Sequence, residues 1–368
     1  MSTKKDKFTK KDISYMNLAL RLASARHGLT GNNPSVGCVI VKNKKIISIG
    51  QTGYNGSPHA ESSAIKNSID NVAGSKIYVT LEPCNHYGKT PPCTKKIIKS
   101  KIKEVYYSIE DIDKKVRGKS FKILKSKHIF VRKGLLKNKI SNFYIPYFFN
   151  RKNKMPYVTG KIAISKNNLI YSKGSKKITD MHTNKLTHFL RYKNDSILIS
   201  YKTLNKDNPK LNCRIKGLIN FSPKRIILDN YLRTKITSYI FKTANKKNTI
   251  IFYKNADKAK ILLFQKKGIQ LIKSNLIKNK NFGLKSVLRK LYLLGCRNLL
   301  IEGGNELSKS FLNEKLFNEF YLYKSPKILS KLVDHKKLNF FKNLSQNYRN
   351  KKKINTKLGK DSITLYKN

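Results

Sequence analysis

Apolar residues recur along this 368-residue chain at two spacings that alternate, 3.6 and 2, and the alternation lays out the elements. Thr9-Lys10-Lys11-Asp12 has the form of a capping box with Asp in place of Glu. Behind it Ile13, Met16, Leu20 and Ala23 recur at helical spacing. Val36 to Val41 and Ile46 to Ile49 read as two strands around the turn Lys42 to Lys45. A helix is predicted from near Ala60, a strand over Lys76 to Leu81 and a short helix over Thr94 to Lys99. A strand over Glu104 to Ile109, a helix near Lys119 to Lys125 and a strand over His128 to Val131 follow. Strands alternating with helices imply a sheet covered by helices, so the class is α/β.

The pattern breaks at Arg151-Lys-Asn-Lys-Met-Pro156, which is charged and ends in proline as linkers often do. This predicts a first domain over 1–150, a linker over 151–156 and a second α/β domain over 157–368. In the second, strands are predicted over Tyr157 to Ser165, Ser196 to Ile199, Arg225 to Leu228, Thr249 to Tyr253 and Asn298 to Glu302. Helices are predicted over Asp180 to Tyr192, Phe282 to Leu294 and Glu306 to Leu312. Glu319 to Tyr323 and Ser362 to Tyr366 alternate as strands do. No repeat relates the two halves.

Composition narrows the class. Hydrophobic residues at 39% and aromatics at 10% suffice for two cores, which excludes wholesale disorder. No run of about eighteen apolar residues suggests a membrane span. The N-terminus has no apolar stretch behind its charges, so it does not read as a signal peptide. The five cysteines, Cys38, Cys84, Cys93, Cys213 and Cys296, are too few and too uneven for a disulfide framework, which fits a reducing cytoplasm. The formal net charge of +59 invites a nucleic-acid reading. The lysines, however, are spread along nearly the whole chain, and Lys, Asn and Ile, all with A/T-rich codons, are heavily used together. Compositional drift explains that pattern better than a dedicated surface, and Lys351-Lys352-Lys353 lacks the interleaved aromatics of a stacking platform. No specific nucleic-acid partner and no membrane partner is expected; the charge attracts phosphorylated substrates nonspecifically.

The candidate chemistry lies between His59 and Cys93. His59-Ala60-Glu61 is followed by Glu82-Pro83-Cys84 and, after a gap of eight residues, by Cys93. One imidazole and two thiolates suit a tetrahedral zinc with an open fourth position. His59 and Glu61 fall at a predicted helix start and Cys84 just past a predicted strand end, where open α/β sheets place ligands. Helix N-termini also favour thiolate over thiol. A carboxylate two residues beyond the histidine can shuttle protons, so the set matches the H-x-E and P-C…C kit of zinc-dependent nucleobase deaminases. A purely structural zinc needs a fourth protein ligand, and His86, between the two cysteines, is the one local candidate.

Asn33-Pro34-Ser35-Val36-Gly37-Cys38-Val39-Ile40-Val41, Pro58-His59-Ala60-Glu61 and Leu81 to Cys93, with its G-K-T-P-P run, resemble the bifunctional deaminase–reductases of riboflavin biosynthesis. The eight-residue gap between the cysteines is distinctive, since deaminases of nucleic acids typically leave two. After the linker, Lys161-Ile-Ala163-Ile-Ser165 resembles the opening strand of that family's reductase domain. Asp207 to Arg214 resembles its D-D-P-x-L-T-x-R loop, and Leu300-Ile-Glu302-Gly303-Gly304-Asn305-Glu306-Leu307 its strand–Gly-Gly–helix turn. Glycines after a strand let backbone approach a phosphate, and the helix behind them presents free N–H groups.

The resemblance implies a cytidine-deaminase-like three-layer α/β/α domain followed by a dihydrofolate-reductase-like α/β domain. It implies zinc-dependent deamination of 2,5-diamino-6-(5-phosphoribosylamino)pyrimidin-4(3H)-one, then NADPH-dependent reduction of the product's ribosyl group to ribityl. His59, Cys84 and Cys93 would hold one zinc, Glu61 would carry protons, and Asn33, His86 and Lys89 would contact the phosphorylated pyrimidine. Ala163, Lys177, Thr203, Asp207, Asn230, Gly304, Asn305, Glu306, Leu307, Ser308, Lys309 and Ser310 would line NADPH. Lys161, Ser175, Arg191, Leu211, Arg214 and Glu302 would meet the phosphosugar, with Arg191 and Arg214 as phosphate forks and Lys161 polarising the sugar carbonyl. A homo-oligomer, dimer or tetramer, is the expectation for an enzyme of this type.

Three departures point to a weakened reductase. Ser165-Lys166-Asn167-Asn168 stands for the family's S-L-D-G, Lys177 for a tryptophan, and Asn208 for the second aspartate of the D-D-P loop. Both activities are still expected. Two other readings compete: a tRNA or nucleoside deaminase with a basic RNA-binding C-terminal domain, and a noncatalytic zinc-stabilised nucleic-acid-binding protein.

Overall fold

The computed structural model describes residues 8–88, 90–170, 178–277, 281–329, 340–355 and 359–367. The chain forms two compact units, Met1–Asn153 and Lys154–Asn368.

In unit 1, Thr9 and Asp12 close the capping box, each side chain accepting from the other's backbone N–H, and start α1 (Lys10–Ala25). The hairpin β1 (Gly37–Lys42) and β2 (Lys45–Gln51) leads to α2 (Ala60–Lys66), β3 (Lys76–Leu81) and α3 (Cys93–Lys99). β4 (Glu104–Ile109), α4 (Lys119–Lys125), β5 (Phe130–Lys133) and α5 (Lys137–Asn153) complete it. The sheet order is β2-β1-β3-β4-β5, with β3, β4 and β5 parallel. Successive residues Cys38, Val39, Ile40 and Val41 in β1, and Ile77, Tyr78 and Val79 in β3, are all buried, so both faces of the sheet are covered. β5 starts at Phe130 rather than His128, because His128 has φ +58° and cannot continue a strand. The predicted linker is also shorter than 151–156: Arg151, Lys152 and Asn153 form the last turn of α5. The sequence pattern missed α5 because aromatics and lysines alternate around its whole circumference and Pro146 sits inside it.

Unit 2 opens with β6 (Tyr157–Ile164) and α6 (Met181–Lys193), the latter capped by Asp180, whose side chain accepts from Thr183 N at 2.8 Å. Then come β7 (Ser196–Ser200), α7 (Tyr201–Asp207), β8 (Lys224–Leu228), α8 (Tyr239–Lys242) and β9 (Thr249–Tyr253). α9 (Lys258–Lys266), β10 (Gln270–Lys273), the short pair β11 (Leu276–Ile277) and β12 (Asn281–Phe282), and α10 (Leu284–Leu293) follow. The predicted helix over 282–294 is therefore trimmed: Phe282 belongs to β12 and Gly283 is the N-cap. β13 (Asn298–Ile301), α11 (Asn305–Asn313), β14 (Glu319–Lys324), α12 (Phe341–Asn347), β15 (Asn350–Ile354) and β16 (Ser362–Lys367) end the unit.

Its nine-stranded sheet runs β10-β9-β8-β7-β13-β6-β14-β16-β15, parallel from β10 through β14 and antiparallel beyond. Alternate residues feed two cores: Leu198, Ile226 and Ile301 one, Ile197, Ile227 and Leu300 the other. Among the described residues no helix is long and apolar enough to cross a membrane.

Candidate functional site

His59 is the N-cap of α2, Cys84 lies three residues past β3, and Cys93 is the first residue of α3. The three elements bring His59 Nδ1 to 3.4 Å from Cys84 Sγ and 3.4 Å from Cys93 Sγ, and all three ligand atoms lie within 4.8 Å of one another. A tetrahedral zinc with ordinary Zn–N and Zn–S bonds needs N···S separations of about 3.6 Å, so the donor set fits that ion. It is the one His/Cys/carboxylate cluster of metal-binding spacing among the described residues.

The electrostatics match. The Cys84 thiol is pulled down to about 4, first by its hydrogen bond from the Cys93 thiol, then by His59 and the Cys93 backbone N–H, which donates to Cys84 Sγ at 3.3 Å. Cys93, facing that thiolate in a buried position, is raised. The thiolate expected at a helix start is therefore Cys84, reached by the N–H of the first residue of α3. The same contact with Cys84 raises the His59 imidazole. Glu61, 4% exposed, is pushed up to about 7, first by burial and then by the Cys84 thiolate, with His59 opposing. A carboxyl poised there can take or give a proton near neutral pH.

The loops around this centre are bolted in place by residues that the sequence pattern did not single out. Glu82 accepts backbone N–H groups from Asp111 (3.3 Å), Gly118 (3.0 Å) and Ser120 (3.2 Å), and Ser120 Oγ donates to Pro83 O. Tyr144 of α5 donates to Ser35 O at 2.9 Å and shares a 2.7 Å bond with Thr80 Oγ1, tying the leader of β1 to the end of β3. Tyr147 reaches Asp111 at 3.1 Å. The dense aromatic run from Phe143 to Phe149 was the available signal.

Asn33 Nδ2 donates to Gly56 O at 2.9 Å; Gly56 has φ +91°, and a Cβ there would meet the Asn33 side chain at 2.7 Å, so glycine is required. His86 Nδ1 and Asn85 Oδ1 are buried without a hydrogen-bond partner. Lys89 lies outside the described residues.

In unit 2 the sequence-selected residues gather at the C-terminal ends of the central strands. Arg191 of α6 forks onto Glu302, Nε to Oε1 at 2.7 Å and Nη2 to Oε2 at 2.8 Å, with both side chains nearly buried. Its remaining Nη1 donates to Asn212 O at 3.1 Å. The fork assigned to a phosphate is therefore filled by Glu302. Arg214, an exposed residue, donates from Nη1 to Asn212 Oδ1 at 3.0 Å. Leu211 is buried at φ +54°. His188, not anticipated, lies with Nδ1 3.1 Å from Asn212 O and 3.3 Å from the Arg214 N–H. Lys161 of β6 lies with Nζ 5.1 Å from the Tyr323 ring centroid.

Gly303 and Gly304 lead into α11, and a Cβ on Gly304 would touch Thr203 Oγ1 at 3.6 Å, so backbone and α7 hydroxyl are neighbours. Asn305 Oδ1 is buried without a partner. Along α11, Ser308 is buried, Lys309 is exposed and Ser310 Oγ bonds back to Glu306 O at 2.9 Å. Ala163 sits two residues beyond Lys161 on β6, Asp207 ends α7, and Asn230 follows β8 with its carbonyl accepting from Lys254 N at 2.9 Å. Ser175 and Lys177 lie outside the described residues.

Two departures from the family pattern have a physical account. Asn168 has φ +63° and Asn208 φ +41°, left-handed positions that asparagine tolerates. Asn208 also caps α7 and accepts from Tyr239 N at 2.7 Å, while Asn167 bridges Ser165 and Leu329.

Comparison with known proteins covers both units. Residues 9–109 match the cytidine and deoxycytidylate deaminase zinc-binding region, and residues 156–348 match the RibD C-terminal domain. The riboflavin biosynthesis protein RibD of Aquifex aeolicus is 33% identical over 358 residues, 97% of this chain and 98% of that protein. The solved structure of Acinetobacter baumannii RibD, form 2, superposes with a TM-score of 0.83 at 28% identity, covering 97% of this chain and 98% of the other. A diaminohydroxyphosphoribosylaminopyrimidine deaminase/5-amino-6-(5-phosphoribosylamino)uracil reductase from Thermotoga maritima gives a TM-score of 0.79 at 27% identity, with the same coverage of 97% and 98%.

Proposed function

The chain belongs to the RibD family of riboflavin biosynthesis, a bifunctional deaminase and reductase whose cofactors are zinc and NADPH, and we propose how its residues perform the two reactions. The substrate of unit 1 is 2,5-diamino-6-(5-phosphoribosylamino)pyrimidin-4(3H)-one. His59, Cys84 and Cys93 would hold the zinc. When bound, that ion acts as a Lewis acid that brings the pKa of a water molecule toward neutrality. Glu61 accepts the water's proton as oxygen attacks the ring carbon bearing the 2-amino group, then returns it to the departing nitrogen. Ammonia leaves and the uracil remains. Asn33 and His86 orient the ring, the unpartnered His86 Nδ1 gaining a partner on binding, and Lys89 attracts the phosphate.

Unit 2 reduces the ribosyl group of that product. NADPH, when bound, supplies the hydride to C1′. Gly304, Asn305 and Thr203 cradle the dinucleotide at the start of α11, and Ala163, Asp207 and Asn230 line the same strand ends. Lys161 steadies the sugar oxygen that is freed as the ring opens. Glu302 holds Arg191, and Arg191 holds the Asn212 carbonyl, which leaves Arg214 as the cation open to the phosphate. None of the five cysteines is in a disulfide, which suits the cytoplasm, and we expect a homo-oligomer, read by light scattering of the full chain.

The observation that carries this reading is the convergence of His59, Cys84 and Cys93 beside buried Glu61. The test is incubation with the diaminopyrimidine ribotide, with and without NADPH, followed by mass analysis. Deaminated product alone is expected without NADPH, and the ribityl product with it. Unchanged ribotide under both conditions refutes the reading.

A further inference from the structure

Three neighbouring parallel strands bring a set of side chains to one face of the large sheet. β13 pairs Ile301 with Gly160 of β6, so Glu302, the next residue, follows beside Lys161. β6 in turn pairs Lys161 with Tyr321 and Ala163 with Tyr323 of β14. Side chains alternate along a strand, so Lys161, Ala163 and Tyr323 share a face, with Tyr323 one pair beyond Lys161.

The charges on this face do not balance locally. Both Glu302 oxygens are taken by Arg191, and Lys161 joins none of the ion pairs among the described residues. Two cations thus share one carboxylate. Burial lowers the Lys161 ammonium, with Glu302 and Arg191 acting in opposite directions. A partly desolvated ammonium with only a shared carboxylate near it is costly, and the ring that faces it is that of Tyr323, 5.1 Å from Nζ to centroid, within the range of a cation–π contact. Tyr323 is itself fully buried, with its hydroxyl against the Thr187 side chain. The ring is fixed by its packing against the core, so its face is what the site uses.

We propose that Tyr323 is a positioning residue of the reductase: its ring face holds the Lys161 ammonium at the spot where the sugar oxygen of the substrate arrives. The proposal rests on the assignment of Lys161 made above and extends it to a residue that assignment does not use. The excess positive charge then serves a purpose, because it meets the negative charge that develops on the sugar oxygen as the ring opens.

The experiment uses the full chain, with its own deamination rate counting active molecules and thermal unfolding reporting the state of unit 2. Tyr323→Phe keeps the face and is expected to hold reductase kcat within about threefold, whereas Tyr323→Leu lowers it roughly ten- to thirtyfold with the KM for NADPH unchanged. Because Tyr323→Leu can disturb packing, mono-, di- and trifluorinated phenylalanine are also placed at 323. They keep the volume nearly constant and drain the face of charge, so kcat should fall stepwise. A flat fluorination series, or a Tyr323→Phe loss equal to that of Tyr323→Leu, overturns the proposal. Lys161→Met separates the two layers. If it abolishes reduction while the series is flat, the Lys161 assignment stands and Tyr323 drops out; if it leaves the parent rate, the Lys161 assignment fails and the Tyr323 role falls with it.

Discussion

Two buried glutamates, one in each unit, are driven in opposite directions. Glu61 has no cationic side chain forked onto it; burial and the Cys84 thiolate push its carboxyl up to about 7. Glu302 is nearly buried, its side chain 12% exposed, yet Arg191 pulls its carboxyl below the usual range. The first can change protonation during a reaction. The second is fixed as an anion and acts through what it holds. The difference teaches that the partner of a buried carboxylate, more than its burial, decides whether it moves protons or places neighbours.

The sharpest way to break the comparison is Glu61→Gln. Deamination is expected to fall by about 10³-fold or more, with zinc content unchanged and reduction of supplied deaminated product intact. A modest loss would make Glu61 a spectator. Glu302→Gln tests the other side. It leaves Arg191 buried without its counter-charge, which should destabilise unit 2 by about 3 kcal/mol and abolish reduction, while the deaminase transition of the same chain keeps its midpoint in calorimetry. If Glu302→Gln instead spares stability and shifts only a pH–rate profile, Glu302 is a proton carrier like Glu61.

Tyr144→Phe is a smaller perturbation of the first unit. It strands the buried Ser35 carbonyl, so the loop bearing Asn33 loosens. The expected outcome is a several-fold rise in KM for the ribotide and about 1–2 kcal/mol of lost stability, with metal affinity preserved; equal loss of metal would place the effect at the zinc ligands. The smallest effect is a pH dependence of unit 2. His188 is lowered to about 4, first by burial and then by Arg191 and Arg214. Its folded value lies below its unfolded one, so the unfolded chain binds more protons. The stability this residue contributes is complete above about 6.5 and is lost as pH falls toward 4. His188→Gln should flatten that part of the melting-temperature curve, and an unchanged curve would show that other groups set it.

The sequence made the metal set legible because its ligands are chemically distinctive and anchored by prolines and by a helix start. The parallel strands were legible too, since Ile197 to Ile199 and Ile226 to Leu228 are continuous apolar runs. What was hidden depends on long-range geometry. No local pattern announces that Arg191 spends its fork on Glu302, 111 residues away, and so the phosphate role passed to it. α5 escaped notice because its inward residues Ile140, Tyr144 and Asn150 follow no clean apolar stripe, and with it went Tyr144 and Tyr147. Asn168 and Asn208 looked like decay by identity alone; their left-handed backbone shows that each turn keeps its geometry.

The central claim is an open metal site served by one proton-carrying carboxyl. X-ray absorption at the zinc edge of the full chain, with metal quantified per chain, tests it most directly. One zinc bound by one nitrogen, two sulfurs and a light oxygen scatterer is the predicted result. A second imidazole closing the shell, as His86 would supply, or no stoichiometric zinc at all, would contradict it.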